Sequence, residues 1–403
     1  MIPRKHLDFT WRDLAHALAA CTACAQTTPG HVFEKKEIFC LSARSAFDLC
    51  LSVAGIEPGS EILVSALTIP DMPRILRAHG FIPVPVDLDP ATASVTEASL
   101  LRAVTPQTRA ILIAHLFGGL ADMDTVIRFA RSHRLFVIED CAQAFSGAGF
   151  RGNPHSDAVL FSFGPIKTAT ALGGGVLILN DPEMRERADA LHRSWPIQGT
   201  SEYAMRLLRF AFFKGLLHRQ VYPILVRLIR LFGKDHDEII TGVARSFRNG
   251  PFLDRIRRRP CGALVEQVRY RVATYPPQRI LQRAALGEAV QKSLHEGQCP
   301  GGASLARTHW IFPILVRDPV ALQALLFARG IDATRATSSL APVDAPPGRE
   351  NLAPLTTLEA FRHLLYLPIS LETPTETIEQ LVGLVRNACP FAMELPPAKE
   401  PPL

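Results

Sequence analysis

The stretch FSFGPIKTATALGGGVLILND, residues 161–181, holds a single charged residue, Lys167, ahead of its closing Asp181. A lysine on a Gly-Pro turn is ordinarily a solvated surface charge. Here the run is uncharged on both sides, and Gly173, Gly174 and Gly175 would let a planar ligand approach the backbone closely. In an apolar pocket a lysine amine becomes a nucleophile able to form a Schiff base. Upstream, Asp140 closes the run FVIED, with Gln143 three residues on. A carboxylate at a strand end can face a protonated ring nitrogen, or it can cap a following helix, and on this motif alone both readings stand. Ser162 precedes the lysine by five residues. An imine-forming lysine, an acid for a pyridinium nitrogen and donors for a phosphate are together what a pyridoxal 5'-phosphate site needs.

These residues need strands to carry them. Short apolar, β-branched runs recur at 61–67, 81–88, 110–116, 136–140, 158–163 and 173–179, with helix-like stretches such as PDMPRILRAHG and DMDTVIRFARSHR between several of them. That alternation predicts an α/β fold with a mostly parallel central sheet flanked by helices, and ligands in such sheets collect at the carboxyl ends of strands. Further on, PPQRILQRAALGEAVQKSLHEG, DPVALQALLFARG and TETIEQLVGLVRNA read as helices around a strand at 309–316, a smaller C-terminal α+β domain.

With 403 residues, 47% of them apolar, the chain is long enough for two or three domains with sizeable cores. Its eight cysteines are scattered, as in reduced cytoplasmic proteins. Cys21 and Cys24 form a C-x-x-C within a helical composition, and no second pair follows to complete a zinc site, so no metal is expected. The N-terminal residues have no apolar core of a signal peptide, and no stretch of 18 uncharged apolar residues occurs.

The motifs VIEDCAQA, FSFGPIK and GGGVLILND, in that order, resemble the DegT/DnrJ/EryC1/StrS family of pyridoxal-phosphate sugar aminotransferases, which have the fold-type I architecture. The likeness is collinear over residues 37–195 and resumes over 303–385, through LSARSAFDL, AHLFGGLADMD, ARGIDATR and LLYLPIS. It implies that Lys167 carries the Schiff base and shuttles the proton, that Asp140 pairs with the pyridinium nitrogen, and that Gln143 lies by the phenolic oxygen. Ser162 and backbone N–H groups around Arg44 and Ser45, at a helix start, would bind the phosphate. His115 matches a family position too, with a structural role at the strand end as the competing reading. The implied reaction moves an amino group from an amino acid, glutamate, to a keto-sugar that is nucleotide- or lipid-linked, in a ping-pong cycle on a homodimer. A sugar dehydratase of the same scaffold, or a non-enzymatic regulatory descendant, are the alternatives; known dehydratases replace the lysine by histidine, and Lys167 is present.

The chain departs from the family pattern in places. Ser42-Ala43-Arg44 stands where Ser-Gly-Thr is usual, Ile69 or Pro70 stands where an aromatic stacks on the ring, and DRIRRRPCGAL takes the place of an Asn-x-Arg segment that reaches a neighbouring subunit's phosphate. TRATSSLAP, which contains Arg335, stands where an aromatic-rich stretch usually follows the arginine. The expected organisation is a large domain at 1–199, a basic helical insert at 200–260, a small domain at 261–390 and a disordered tail at 391–403. The span 200–271 holds fifteen Arg or Lys against six Asp or Glu, and Tyr203 to Lys234 has no carboxylate. Two readings of the insert stay open. Either Phe210, Phe212, Phe213, Leu216 and Leu217 enter an anionic membrane surface at the inner face, or the segment is a hairpin that packs at a dimer interface or roofs the site. Charge without a recognisable module gives no case for nucleic acid.

Overall fold

The apolar runs become strands and the stretches between them helices, with local chemistry marking the ends. Asp122 accepts from the Thr125 N–H at the start of one helix, and Asp181 accepts from Glu183 with Pro182 in the first turn of another. The computed structural model describes residues 2–3, 7–22, 37–216, 221–223, 227, 251–335 and 340–388. In chain order its main elements begin with α1 (Trp11–Thr22), β1 (Glu37–Cys40), α2 (Ala43–Val53), β2 (Glu61–Ser65), α3 (Asp71–Ala78) and β3 (Ile82–Val86). Next come α4 (Glu97–Ala103), β4 (Thr108–Ala114), α5 (Met123–His133), β5 (Phe136–Asp140), β6 (Ala158–Ser162), β7 (Gly175–Leu179), α6 (Pro182–Ser194) and α7 (Thr200–Leu216). The remainder are α8 (Gly262–Thr274), α9 (Pro277–Lys292), β8 (Phe312–Leu315), α10 (Pro319–Ala328), β9 (Thr334–Arg335), α11 (Leu355–Arg362), β10 (Leu364–Leu367) and α12 (Thr375–Ala388).

The chain divides into two compact units. The first comprises Lys5–Gly55 and Phe145–Pro276, the second Ile2–Arg4, Ile56–Ala144 and Pro277–Leu403. In the second unit β5, β4, β2 and β3 lie side by side, all parallel, with Ala114 beside Asp140 and Leu63 beside both Ile111 and Val84. All five residues of β2 are buried, with Ile62, Leu63 and Val64 consecutive and apolar, as in a strand covered on both faces. The same unit holds an antiparallel sheet of β8, β10 and β9, whose Ile314 and Leu365 share a core with Leu322, Leu381 and Val385 of α10 and α12. In the first unit β7 pairs antiparallel with both β1 and β6. There α1 packs on α7 and α8, and α2 on α6 and β7. The α/β class with parallel strands and an α+β set toward the C-terminus is thus the observed one.

The compact units cut the chain at other points than the expected division. Helices α7 and α8 both belong to the first unit, and the 261–390 span is parted between Pro276 and Pro277. On α7 the phenol of Tyr203, Leu207 and Phe210 are buried, while Met205, Leu208 and Phe212 are exposed. Phe210 is therefore a core residue rather than one that could enter a membrane; Phe213 and Leu216 are half-buried, and Leu217 lies outside the described residues, as does Cys24. Among the described residues no helix is long and apolar enough to cross a membrane.

Candidate active site

Lys167 does sit on a turn, half-buried, but the loop around it is not a surface loop. Its N–H donates to Gly164 O at 3.0 Å, closing the Gly164–Lys167 turn around Pro165. Phe163 O receives the N–H groups of both Ala171 and Gly173, at 3.0 and 3.1 Å. The hydroxyl of Thr170 donates to Gly164 O at 2.6 Å and accepts from Leu172 N at 2.9 Å, so one side chain ties the start of the turn to the segment that follows it. Thr168 through Leu172 are buried, and Ala169 and Leu172 hold left-handed φ angles of 53° and 60°. Such angles cost a non-glycine residue roughly 1 kcal/mol or more, and they persist only where surrounding bonds over-determine them.

Those bonds come from two helices that the motif reading had not connected with the lysine. From α7, Tyr203 Oη donates to Ala171 O at 2.8 Å and Arg206 Nη1 to Leu172 O at 3.4 Å. From α8, Arg271 Nε donates to Thr170 O at 3.1 Å. Burial drives the Tyr203 phenol well above its ordinary pKa, so it remains a donor at every physiological pH, and burial lowers the Arg206 guanidinium from its usual value. The start of the presumed basic insert is in part the scaffold of the lysine loop.

The same unit builds a cup suited to an anion. In the ladder Gly175 lies beside Ser162 on one side and Cys40 on the other. Two residues past Cys40, Ser42 is the extended N-cap of α2, its Oγ accepting from Ser45 N at 3.2 Å and lying 3.0 Å from Ser45 Oγ. A Cβ on Gly175 would meet the Ser42 carbonyl carbon at 2.4 Å, so the helix start presses on the strand where only glycine fits. Serine at the cap and glycine opposite it bring the first turn of α2 beside the row that holds Ser162. Ser45, fully buried, spends its N–H on the cap, and Ala43 and Arg44 make up the rest of the helix's first turn, where the dipole favours an anion. A phosphate monoester fits this combination of hydroxyl, first-turn N–H groups and dipole.

The departing segment DRIRRRP is occupied within the same unit. Arg257 clamps the buried Asp48 of α2 bidentately at 2.9 and 3.1 Å, Arg258 pairs with Glu202 of α7, and Arg259 Nε donates to Trp195 O at 3.2 Å.

In the second unit the carboxyl ends of β4 and β5 carry the other candidates. Asp140 is 8% exposed; its Oδ1 accepts from Ala142 N at 2.9 Å and its main-chain O from His115 N at 3.1 Å. A turn follows it, not a helix, so the helix-cap reading is set aside. Gln143 Oε1 accepts from Phe117 N at 2.9 Å, which leaves its amide N–H groups outside that bond. His115 is buried with Nε2 2.8 Å from Glu139 Oε1, while its Nδ1 accepts from Ala121 N at 3.0 Å. The proton is thereby fixed on Nε2 and donated to Glu139. Cys141 Sγ lies 3.5 Å from the same carboxylate oxygen, and burial raises its thiol pKa well above the ordinary range. His115, Glu139 and Cys141 have ligand atoms within 4.8 Å of one another, yet both imidazole nitrogens are engaged, which makes the trio a hydrogen-bonded brace between strand ends rather than a metal site. Ile69 packs against the core of this unit and Pro70 is exposed. Arg335, in β9, is exposed.

Residues 31–205, which include Lys167, Asp140, Gln143, Ser162 and the α2 cup, match the sequence profile of the DegT/DnrJ/EryC1/StrS aminotransferase family. The match covers somewhat less than half of the chain. A "Pleiotropic regulatory protein" of Geobacillus stearothermophilus is 38% identical over 168 residues, 40% of this chain and 45% of that protein. A GDP-perosamine synthase of Caulobacter vibrioides is 39% identical over 153 residues, 37% of this chain and 41% of that protein. The matched stretches thus span less than half the length of these relatives. A solved structure of a Bacillus subtilis protein with bound cofactor PMP superposes with a TM-score of 0.64 at 20% identity, covering 94% of this chain and 83% of that one, so the likeness in fold extends well beyond residues 31–205.

Proposed function

We propose that the chain is a pyridoxal-phosphate-dependent aminotransferase that moves an amino group from an amino acid, glutamate, to the keto group of a nucleotide- or lipid-linked sugar, as a cytoplasmic homodimer with a ping-pong cycle. The observation that carries this reading is the braced loop around Lys167, fixed at Thr170, Ala171 and Leu172 beside a strand end that holds Ser162. Pyridoxal phosphate, when bound, supplies the electron sink that acidifies the carbon bearing the amine. Lys167 Nζ would anchor it and would hold and return the proton exchanged between the two carbons. Asp140 would pair with the ring nitrogen to keep it protonated, and Gln143 would offer an N–H to the ring oxygen. Ser162 would hold the phosphate with the first turn of α2 at Arg44, while Ser45, whose N–H caps the helix, would fix that turn from behind. Purified protein mixed with pyridoxal phosphate should develop a visible lysine–cofactor absorbance that Lys167→Ala abolishes, followed by glutamate-dependent turnover of one member of a keto-sugar panel. Absence of that absorbance in excess cofactor ends the reading.

The regulatory name of the Geobacillus relative favours a second reading, in which the cofactor-binding scaffold serves control rather than turnover. Cofactor binding with no turnover of any keto-sugar or amino acid would select it. Peripheral membrane contact is supported by the solvent-facing Met205, Leu208 and Phe212 of α7, at helical spacing beside the exposed Arg209. Flotation with anionic liposomes tests it, and equal recovery with neutral and anionic vesicles rules it out.

A further inference from the structure

Arg271 is a buried cation that the proposed chemistry leaves unused. It is 4% exposed, and its Nη1 meets Oδ1 of the equally buried Asp13 at 2.7 Å. Its Nε donates to Thr170 O at 3.1 Å and its Nη2 to Asp8 O at 2.8 Å. The guanidinium also lies 5.5 Å from the centre of the Tyr275 ring and 5.9 Å from that of Phe9. Asp13 is itself held, receiving the N–H and hydroxyl of Thr10 at 2.6 and 2.7 Å.

Stability alone does not explain such a group. A buried ion pair is commonly replaceable by apolar residues of similar volume at no loss, so what distinguishes this one is where its directional bonds end. One ends on the N-terminal segment, another on the carbonyl of Thr170, three residues after Lys167. Because the Thr170 hydroxyl grips Gly164 O and Leu172 N, a shift of Thr170 moves the start of the lysine turn together with the segment that follows it. The planar fork of arginine can hold a carboxylate and two carbonyls at fixed angles, which a lysine's single ammonium cannot.

We propose that Arg271, locked by Asp13, is the positioning residue of Lys167: it fixes the turn through Thr170 O and couples it to the N-terminal segment Asp8–Asp13. The role rests on Lys167 being the cofactor-anchoring amine.

The test compares the full chain with Arg271→Lys and with the double variant Asp13→Leu/Arg271→Met, which removes both charges together. In cofactor-free protein, amide exchange of residues 164–172 should quicken about tenfold or more in both variants, the effect of losing one charged hydrogen bond, while β6 and β7 keep their protection. With pyridoxal phosphate added, the pH midpoint of the visible lysine–cofactor absorbance should shift from that of the unaltered chain. Unchanged loop exchange, or a rise spread evenly over the first unit, overturns the proposal, as does faster loop exchange with an unshifted midpoint. If the unaltered chain yields no visible absorbance, the aminotransferase reading falls and the exchange measurement alone decides whether Arg271 fixes the loop.

Discussion

A Cβ placed on Gly175 would stand 2.4 Å from the carbonyl carbon of Ser42 and 2.5 Å from the nitrogen of Ala43. These are backbone atoms, so the contact cannot be relieved by turning a side chain. Gly175→Ala must push the start of α2 away from β7, which costs about 1–3 kcal/mol as an overpacked site. It also draws the first turn of α2 away from Ser162, so affinity for pyridoxal phosphate should fall roughly tenfold or more. Calorimetry and absorbance titration measure the two effects. Unaltered cofactor affinity in Gly175→Ala would show that the α2 cup does not hold the phosphate.

The phenol of Tyr203 gives a finer probe. Tyr203→Phe keeps the packing of a fully buried ring but removes the donor to Ala171 O, leaving a buried carbonyl one bond short. The expected loss is about 1–2 kcal/mol in urea unfolding, with faster amide exchange centred on residues 169–173. An effect confined to α7 itself would mean that the helix is braced by the loop and not the loop by the helix.

The sequence made the strands legible because parallel strands covered on both faces carry runs of consecutive apolar residues, as Ile62–Val64 and Phe136–Ile138 do. Lys167, Asp140 and Ser162 were readable from type and order. The supports of Lys167 were not, because Tyr203 and Arg271 act from far along the chain through single bonds to main-chain carbonyls, which leave no local motif. One signal was present: Leu264, Gln267, Val268, Arg271 and Val272 share one face of α8, and an arginine on an apolar face is a buried cation that must have a partner. The count of positive charge over 200–271 concealed this, since a sum does not distinguish residues such as Arg257, Arg258 and Arg271 that are each engaged at a named atom.

His115 joins the ends of β4 and β5 through a proton whose place is fixed. Ala121 N–H occupies Nδ1, so the proton is on Nε2, facing Glu139. Nitrogen NMR of labelled protein should show Nδ1 unprotonated around neutral pH. His115→Ala should cost about 2–3 kcal/mol, since a buried carboxylate loses a donor and a buried N–H loses its acceptor. A protonated Nδ1 would refute the assignment.

Two other histidines set the response to acid. Burial, reinforced by Arg259, lowers the pKa of His192 to about 4, and burial with Arg307 and Arg283 lowers that of His309 to about 3, both from an ordinary value of 6.5. Below pH 6.5 the unfolded chain therefore binds protons at these positions that the folded chain refuses. Stability is complete above that pH and declines as pH falls toward 4 for His192 and toward 3 for His309. Each site contributes a slope of about 1.4 kcal/mol per pH unit once the unfolded imidazole is charged and the folded one is not. Urea unfolding between pH 5 and 6.5, above most carboxylate titration, isolates the two sites. His192→Gln and His309→Gln should each flatten the decline by up to that amount; a variant that keeps the original slope would show that its histidine takes up a proton in the folded chain as readily as in the unfolded one.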